Sequence, residues 1–296
     1  MQTNKPTVSV CMITYNHEQY IQEAINGVLA QQTNFDIELL ISNDNSTDQT
    51  HQKILNLTKN LPSHITLSYY NQERNLGMTP NFIFALKHCQ GKYIALCEGD
   101  DYWIDPLKLQ KQVDFLELNL NYNLICSGVR RYYQNSNKTD LPNKKEDYTF
   151  NYKDMIIRNH CHTCTTLIRN QKLNFSNWAN DKGSDSQLWL RTLGTDGLAK
   201  YASDITAVYR KHSGGVSVIA YDSIKTYEDE INAFKRKISK AIYWNDYFLG
   251  NAGDSVYLVK LKMTKRMYRY AIRNNRYLDC IKYLFVFFKL KYLKIA

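Results

Sequence analysis

Apolar positions along the first third of the chain keep two alternating rhythms. VSVCMITY (8–15) is an unbroken apolar, β-branched run, which predicts a buried strand. HEQYIQEAINGVLAQQ (17–32) instead spaces Tyr20, Ile21, Ala24, Ile25, Val28 and Leu29 at helical intervals. The first rhythm returns in IELLISND (37–44), ITLSYYNQ (65–72) and KYIALCE (92–98). The second returns in NSTDQTHQKILNLTKN (45–60), NFIFALKHC (81–89) and PLKLQKQVDFLEL (106–118). Ser46 and Gln49 have the spacing of a capping box, and Pro106 suits a first helical turn. Four strand–helix alternations predict a mostly parallel sheet with helices on both faces.

In such a sheet, ligands bind at the carboxyl ends of the strands. The polar residues that close the strands therefore matter most: Tyr15 and Asn16, Asn43 and Asp44, Glu73 and Arg74, then Glu98, Asp100 and Asp101. Beyond about residue 120 the alternation weakens. Strands are expected at 124–133, 162–170 and 207–217, a polar loop at 136–147, and helices at 153–159, 184–194, 222–249 and 254–294. The organisation expected is a catalytic domain over 1–220 and a helical, basic C-terminal extension over 221–296.

Composition narrows the class. Of 296 residues, 44% are hydrophobic, 13% aromatic and 22% charged, which describes a folded chain rather than a disordered one. Seven cysteines, scattered and odd in number, suggest no disulfide framework and point to a reducing compartment. The first residues lack the pattern of a secretory signal. The late apolar run YLFVFF (283–288) is far short of the ~20 residues a span needs. A cytoplasmic location is expected.

The net charge of +10 is concentrated. Residues 256–296 hold eleven Lys or Arg and one acid, Asp279, so the rest of the chain is formally neutral. Lys and Arg are mixed there with Tyr, Phe and Leu. Three readings fit: an amphipathic helix on an anionic membrane surface, a helix packed on the protein with a solvated basic face, or a nucleic-acid patch.

No G-x-G-x-x-G follows the first strand and no G-x-x-x-x-G-K-S/T occurs, which disfavours a dinucleotide dehydrogenase and a P-loop NTPase. Tyr15 offers a ring for stacking on a base, or a packing residue. Asp44 offers a carboxylate for a base N–H or ribose hydroxyl, or a turn former. EGDDYW (98–103) brings hard oxygen ligands suited to Mg²⁺ or Mn²⁺ on a substrate phosphate. NHCHTCTT (159–166) packs His160, Cys161, His162 and Cys164 together, but alternating strand faces do not bring four such groups to one zinc ion readily.

Taken together, VSVCMITYNHEQYIQEAINGVLAQ, ELLISNDNSTDQT, NLGMTPNFIFALKHCQGKYIALCEGDDYW, DSQLWLRTLG and AVYRKHSGGVS resemble successive blocks of the family 2 glycosyltransferases of the GT-A fold, over roughly residues 7–217. The resemblance implies a metal-dependent, inverting transferase that moves a hexosyl or N-acetylhexosaminyl group from a nucleotide sugar, a UDP-sugar, to a glycan or lipid-linked acceptor of a surface polysaccharide or oligosaccharide. By the same resemblance Thr14, Tyr15, Asn16, Asp44, Asn81, Asp100, Arg210 and His212 bind the donor, with Tyr15 stacking on its base. The D-x-D motif falls on Glu98-Gly99-Asp100, with Asp101 beside it, so Asp100, Asp101, Glu98 and His212 are the expected ligands of Mn²⁺ or Mg²⁺. Asp185 matches the catalytic base, and Ser184 stands where many members carry a second acid. His162 would line the acceptor pocket. A lipid-linked acceptor would favour attachment to the inner face of the cell membrane. A reading of another class is a catalytically silent nucleotide- or glycan-binding protein on membranes.

Overall fold

The computed structural model describes residues 5–141, 146–171, 175, 178, 185–215, 226–248 and 250–293. The alternation is present: β1 (Val8–Thr14), α1 (Ile21–Leu29), β2 (Ile37–Asn43), α2 (Thr50–Leu57), β3 (Ile65–Asn71), α3 (Met78–His88), β4 (Tyr93–Leu96). A short β5 (Tyr102–Trp103) precedes α4 (Lys108–Leu118). Then come β6 (Tyr122–Tyr133), β7 (Lys138–Asp140), β8 (Tyr148–Phe150), α5 (Tyr152–Ile157), β9 (Leu167–Arg169), α6 (Asp185–Leu193) and β10 (Leu198–Lys211). Three helices follow: α7 (Tyr227–Tyr247), α8 (Gly253–Arg273) and α9 (Tyr277–Leu293).

The strands form one sheet in the order β3-β2-β1-β4-β9-β6-β10-β5, with β7 on β6 and β8 on β10. β3, β2, β1 and β4 are mutually parallel, as are β6 and β10, while β9 runs antiparallel between β4 and β6. The seven residues of β2 are all buried, as expected for a strand covered on both faces. β4 ends three residues short of β1 in register, since Cys11 pairs with Leu96 while β1 continues to Thr14. The acidic turn after β4 therefore lies beside the end of β1, where Gly99 N–H donates to Ile13 O at 3.0 Å.

Several expectations are corrected. The stretch 162–170 begins as a 3₁₀ turn at Thr163–Thr165, and only Leu167–Arg169 extends. Ser46 does not cap α2; its hydroxyl donates to Asn43 Oδ1 at 2.5 Å and accepts from Asn16 N at 2.9 Å. The single helix expected over 254–294 is two. Asn275 takes φ 54° between them, a left-handed position that Asn tolerates and that ends α8. β5, β7 and β8 were not foreseen, being two or three residues long with no periodicity to read.

The chain divides into two units, one of residues 1–151 and 160–212, the other of 152–159 and 213–296. The second thus includes α5, which the sequence reading gave to the catalytic domain, and the expected boundary at 220 lies outside the described residues. Its core joins Ile231, Phe234 and Ala241 of α7 to Val256, Val259, Met263 and Met267 of α8 and to Tyr283 of α9. A capping box opens α7: Asp229 N–H donates to Thr226 Oγ1 at 3.1 Å and Thr226 N–H to Asp229 Oδ2 at 3.0 Å.

Candidate functional site

The loops after β1 and β2 are tied together. Asn16 adopts φ 54°, and its Oδ1 accepts from Thr47 N at 2.9 Å. Thr50 Oγ1 accepts from His17 N at 2.9 Å. This fastening leaves Tyr15 exposed (42%) at the rim. Asp44 is buried, and its two oxygens accept the N–H groups of Leu76 (2.7 Å) and Gly77 (2.9 Å), so it anchors the loop after β3 while keeping further acceptor capacity. Asn81 is built into the interior: its amide donates to Ser42 O at 3.1 Å and accepts from Ser42 Oγ at 2.6 Å, joining α3 to β2.

The acidic turn is held from two sides. Gly99 is required by close approach: a Cβ there would meet Thr14 Oγ1 at 2.6 Å and His17 Nδ1 at 3.0 Å. Thr14 and His17 are themselves paired, Oγ1 to Nδ1, at 3.1 Å. From β10, Arg210 N–H donates to Asp101 Oδ1 at 2.8 Å and Arg210 Nε to Asp100 O at 3.0 Å. The same guanidinium donates to Glu23 of α1 at 2.5 Å and lies 4.9 Å from the Tyr20 ring centre and 5.3 Å from that of Tyr102. Arg210 is thus a strut that fixes the turn against α1.

The three carboxyl groups of the turn differ sharply. Asp100 Oδ2 lies 3.1 Å from His212 Nε2 and 3.9 Å from His17 Nε2. Burial alone would raise its pKa, but the His212 hydrogen bond, then the nearness of the His17 and His212 imidazoles, hold it below the ordinary carboxylate value. Asp101 points inward, and burial, then the charges of Asp100 and Glu98, push its carboxyl well up. Glu98 Oε2 is buried with no hydrogen-bond partner, and burial together with Asp100 and Asp185 raises its carboxyl to about 8.

Asp185 stands at the start of α6. Its Oδ2 accepts from Thr163 Oγ1 at 3.4 Å and its Oδ1 from Ser186 N at 2.7 Å. Both Asp100 and Asp185 act electrostatically on Glu98, so both acids lie near it. Ser184 lies outside the described residues.

One ligand atom from each of His17, Asp100 and His212 lies within 4.8 Å of the others, the only group of its kind among the described residues. Burial lowers the His17 pKa, which keeps its ring neutral and able to bind a metal. Two imidazoles and a carboxylate form a donor set able to hold a divalent ion. Glu98 and Asp101 are not members of this cluster. His17 was missed in the sequence, since an NH dipeptide after a strand reads as a turn; Tyr20 and Glu23, which support the cluster through His212 and Arg210, read as ordinary helix residues.

The dense His/Cys stretch disperses. His160 stacks on Phe150 at 4.7 Å and meets Tyr148 OH at 3.1 Å, Cys161 and Cys164 are buried, and His162 lies against Tyr209 at 5.4 Å. Burial, Arg131 and Lys211 bring the His162 pKa down to about 4. A separate cleft lined by Thr7, Leu86, Gly91 and Lys92 lies at the amino ends of β1 and β4, opposite the acidic turn.

Residues 9–174 match the family model described as Glycosyl transferase family 2. An uncharacterized protein of Mycobacterium tuberculosis is 34% identical over 215 residues, 72% of this chain and 61% of its own length. The chain thus matches less than two thirds of that relative. The Escherichia coli protein WfaP, described as a UDP-Glc:alpha-D-GlcNAc-diphosphoundecaprenol beta-1,3-glucosyltransferase, is 30% identical over 213 residues, 71% of this chain and 79% of its own. Among solved structures, residues 1–349 of S. aureus TarS in complex with UDP-GlcNAc superimpose with a TM-score of 0.57 at 17% identity, covering 96% of this chain and 91% of that one. That likeness is one of fold, and it gives the mixed sheet and its flanking helices the GT-A architecture.

Proposed function

The chain belongs to glycosyl transferase family 2, and from that premise we propose that it transfers a sugar, with inversion, from a UDP-sugar to a glycan or lipid-linked acceptor in the assembly of a surface polysaccharide or oligosaccharide. The observation that carries the reading is that Asp100, with its two histidines, and Asp185 both lie near enough to Glu98 for their charges to act on it. Transfer needs two functions at one place: stabilisation of charge on the leaving diphosphate, and a base for the acceptor hydroxyl.

His17, Asp100 and His212 hold the divalent ion in this reading. When bound, such an ion neutralises charge developing on the diphosphate. Tyr15, exposed at the rim, offers its ring to the base, and Asp44 its remaining acceptor capacity to the base or ribose. Arg210 keeps the acidic turn in place against α1. Asp185 takes the proton from the attacking hydroxyl at Oδ2, the oxygen that faces Thr163.

WfaP, by its description, uses a UDP-hexose and a diphospholipid acceptor, and TarS binds an N-acetylhexosamine donor; these support a UDP donor and leave both sugar classes for a donor screen. A lipid-linked acceptor brings the reaction to the inner membrane face. The test is incubation of the chain with a panel of UDP-sugars and Mn²⁺, reading donor binding by thermal shift and UDP release by coupled assay. Binding and release with wild type, and binding without release for Asp185→Asn, are expected. Binding with no turnover for any donor or acceptor would establish the silent-binder reading instead.

A further inference from the structure

The last helix of the second unit has two apolar faces, and only one is packed. Tyr283 and Leu290 of α9 are buried, and Leu290 O accepts from Tyr257 OH of α8 at 2.9 Å. Turning about 100° per residue, Tyr277, Leu278, Ile281, Phe285 and Phe288 fall in an arc of about 100° on the opposite side of the helix. Their exposures run from 47% at Phe288 to 85% at Leu278. Exposed Lys282 and Lys289 border this arc on one side and Lys291 on the other. A monomeric soluble surface rarely leaves such a contiguous apolar stripe to water.

We infer that this face of α9 lies in the plane of an anionic lipid surface, with Leu278, Ile281 and Phe285 set into the acyl boundary and Lys282, Lys289 and Lys291 reaching headgroup phosphates. Charge chooses the partner: nine of the eleven basic residues of 256–296, and its single acid Asp279, sit on this helix or its neighbour α8, so the surface that meets the stripe must be negative. Long lysine stems at the border of an apolar arc place ammonium groups at phosphate depth. No helix among the described residues is long and apolar enough to cross a membrane, so the helix lies on the bilayer. The inference deepens the lipid-linked acceptor reading by naming the surface, yet vesicle binding does not depend on sugar transfer.

The test is flotation of the full chain with vesicles of phosphatidylcholine alone or with about 30 mol% phosphatidylglycerol. Wild type should float with the anionic vesicles, and salt should weaken it. Ile281→Ser with Phe285→Ser, both exposed and so tolerated by the fold, should lower the partition at least tenfold. Lys282→Gln with Lys289→Gln should lower it less and blunt the salt dependence. Transfer to a short-chain, water-soluble acceptor should be unchanged in both variants, which separates this inference from the catalytic one. Flotation unaffected by the serine pair overturns it. So does absence of flotation, whether the serine pair instead abolishes a concentration-dependent dimer or the lysine pair abolishes RNA binding.

Discussion

Glu98 and Asp100 stand two residues apart on one turn, and their surroundings drive them in opposite directions. On the Asp100 side, His212 and His17 aim ring nitrogens at one carboxylate oxygen, and Arg210 braces the backbone from β10. Every group there favours a charged acid. On the Glu98 side, Oε2 is buried with no partner, and the nearest charges are the acids Asp100 and Asp185. A charged Glu98 is therefore costly, and the carboxyl holds its proton to about 8. Two carboxyl groups two residues apart in sequence thus end with opposite preferences for the proton.

The largest effects should come from the acids that work in charged form. Asp100→Asn removes the only carboxylate of the cluster and should lower transfer about 10³-fold, the scale of several kcal/mol of lost charge stabilisation. Asp185→Asn should lower it about 10²- to 10⁴-fold while UDP-sugar binding, read by calorimetry, persists. His17→Ala comes next: Mn²⁺ affinity in the absence of nucleotide, followed by loss of the free-ion EPR signal, should fall about 10- to 100-fold. An unchanged affinity would remove His17 from the cluster.

Glu98→Gln should do far less. The wild-type side chain is already neutral at pH 7, so transfer should stay within about fivefold. Equal damage from Glu98→Gln and Asp100→Asn would end the comparison. The smallest effect lies on the trailing end of the turn, where buried Lys108 sits 4.3 Å from the Trp103 ring centre and donates to Gln112 at 2.8 Å. Burial lowers its pKa from 10.5 to about 8. Between these values the unfolded chain binds the extra proton, so stability rises with pH across that window. Lys108→Met should flatten the rise in Tm between pH of about 8 and about 10.5, read by calorimetry.

Much of this architecture could be read in the chain. β1 to α4 follow directly from two rhythms, because a strand buried on both faces must be apolar throughout and its covering helix must be amphipathic. The acidic turn was legible as clustered acids at the end of a strand, whereas Asp185 stood out only through the family resemblance. What escaped was short or distant. β5 is two residues long, yet it ties Tyr102 and Trp103 to Val208 and Ala207. Asn81 looked available for a donor and is consumed within the interior. His17 joins Asp100 and His212 across 83 and 112 residues of chain only because β1, β4 and β10 end at one rim.

The sequence by itself determined the alternating elements, the concentration of positive charge after residue 255 and the supply of acids on the rim. These depend on local periodicity and composition, which neighbours along the chain are enough to specify. Only the tertiary structure decided which acid holds charge, which histidine completes the cluster and which face of α9 stays bare. Those outcomes depend on burial and on the sign of charges a few ångströms away in space, and both are created when distant segments pack.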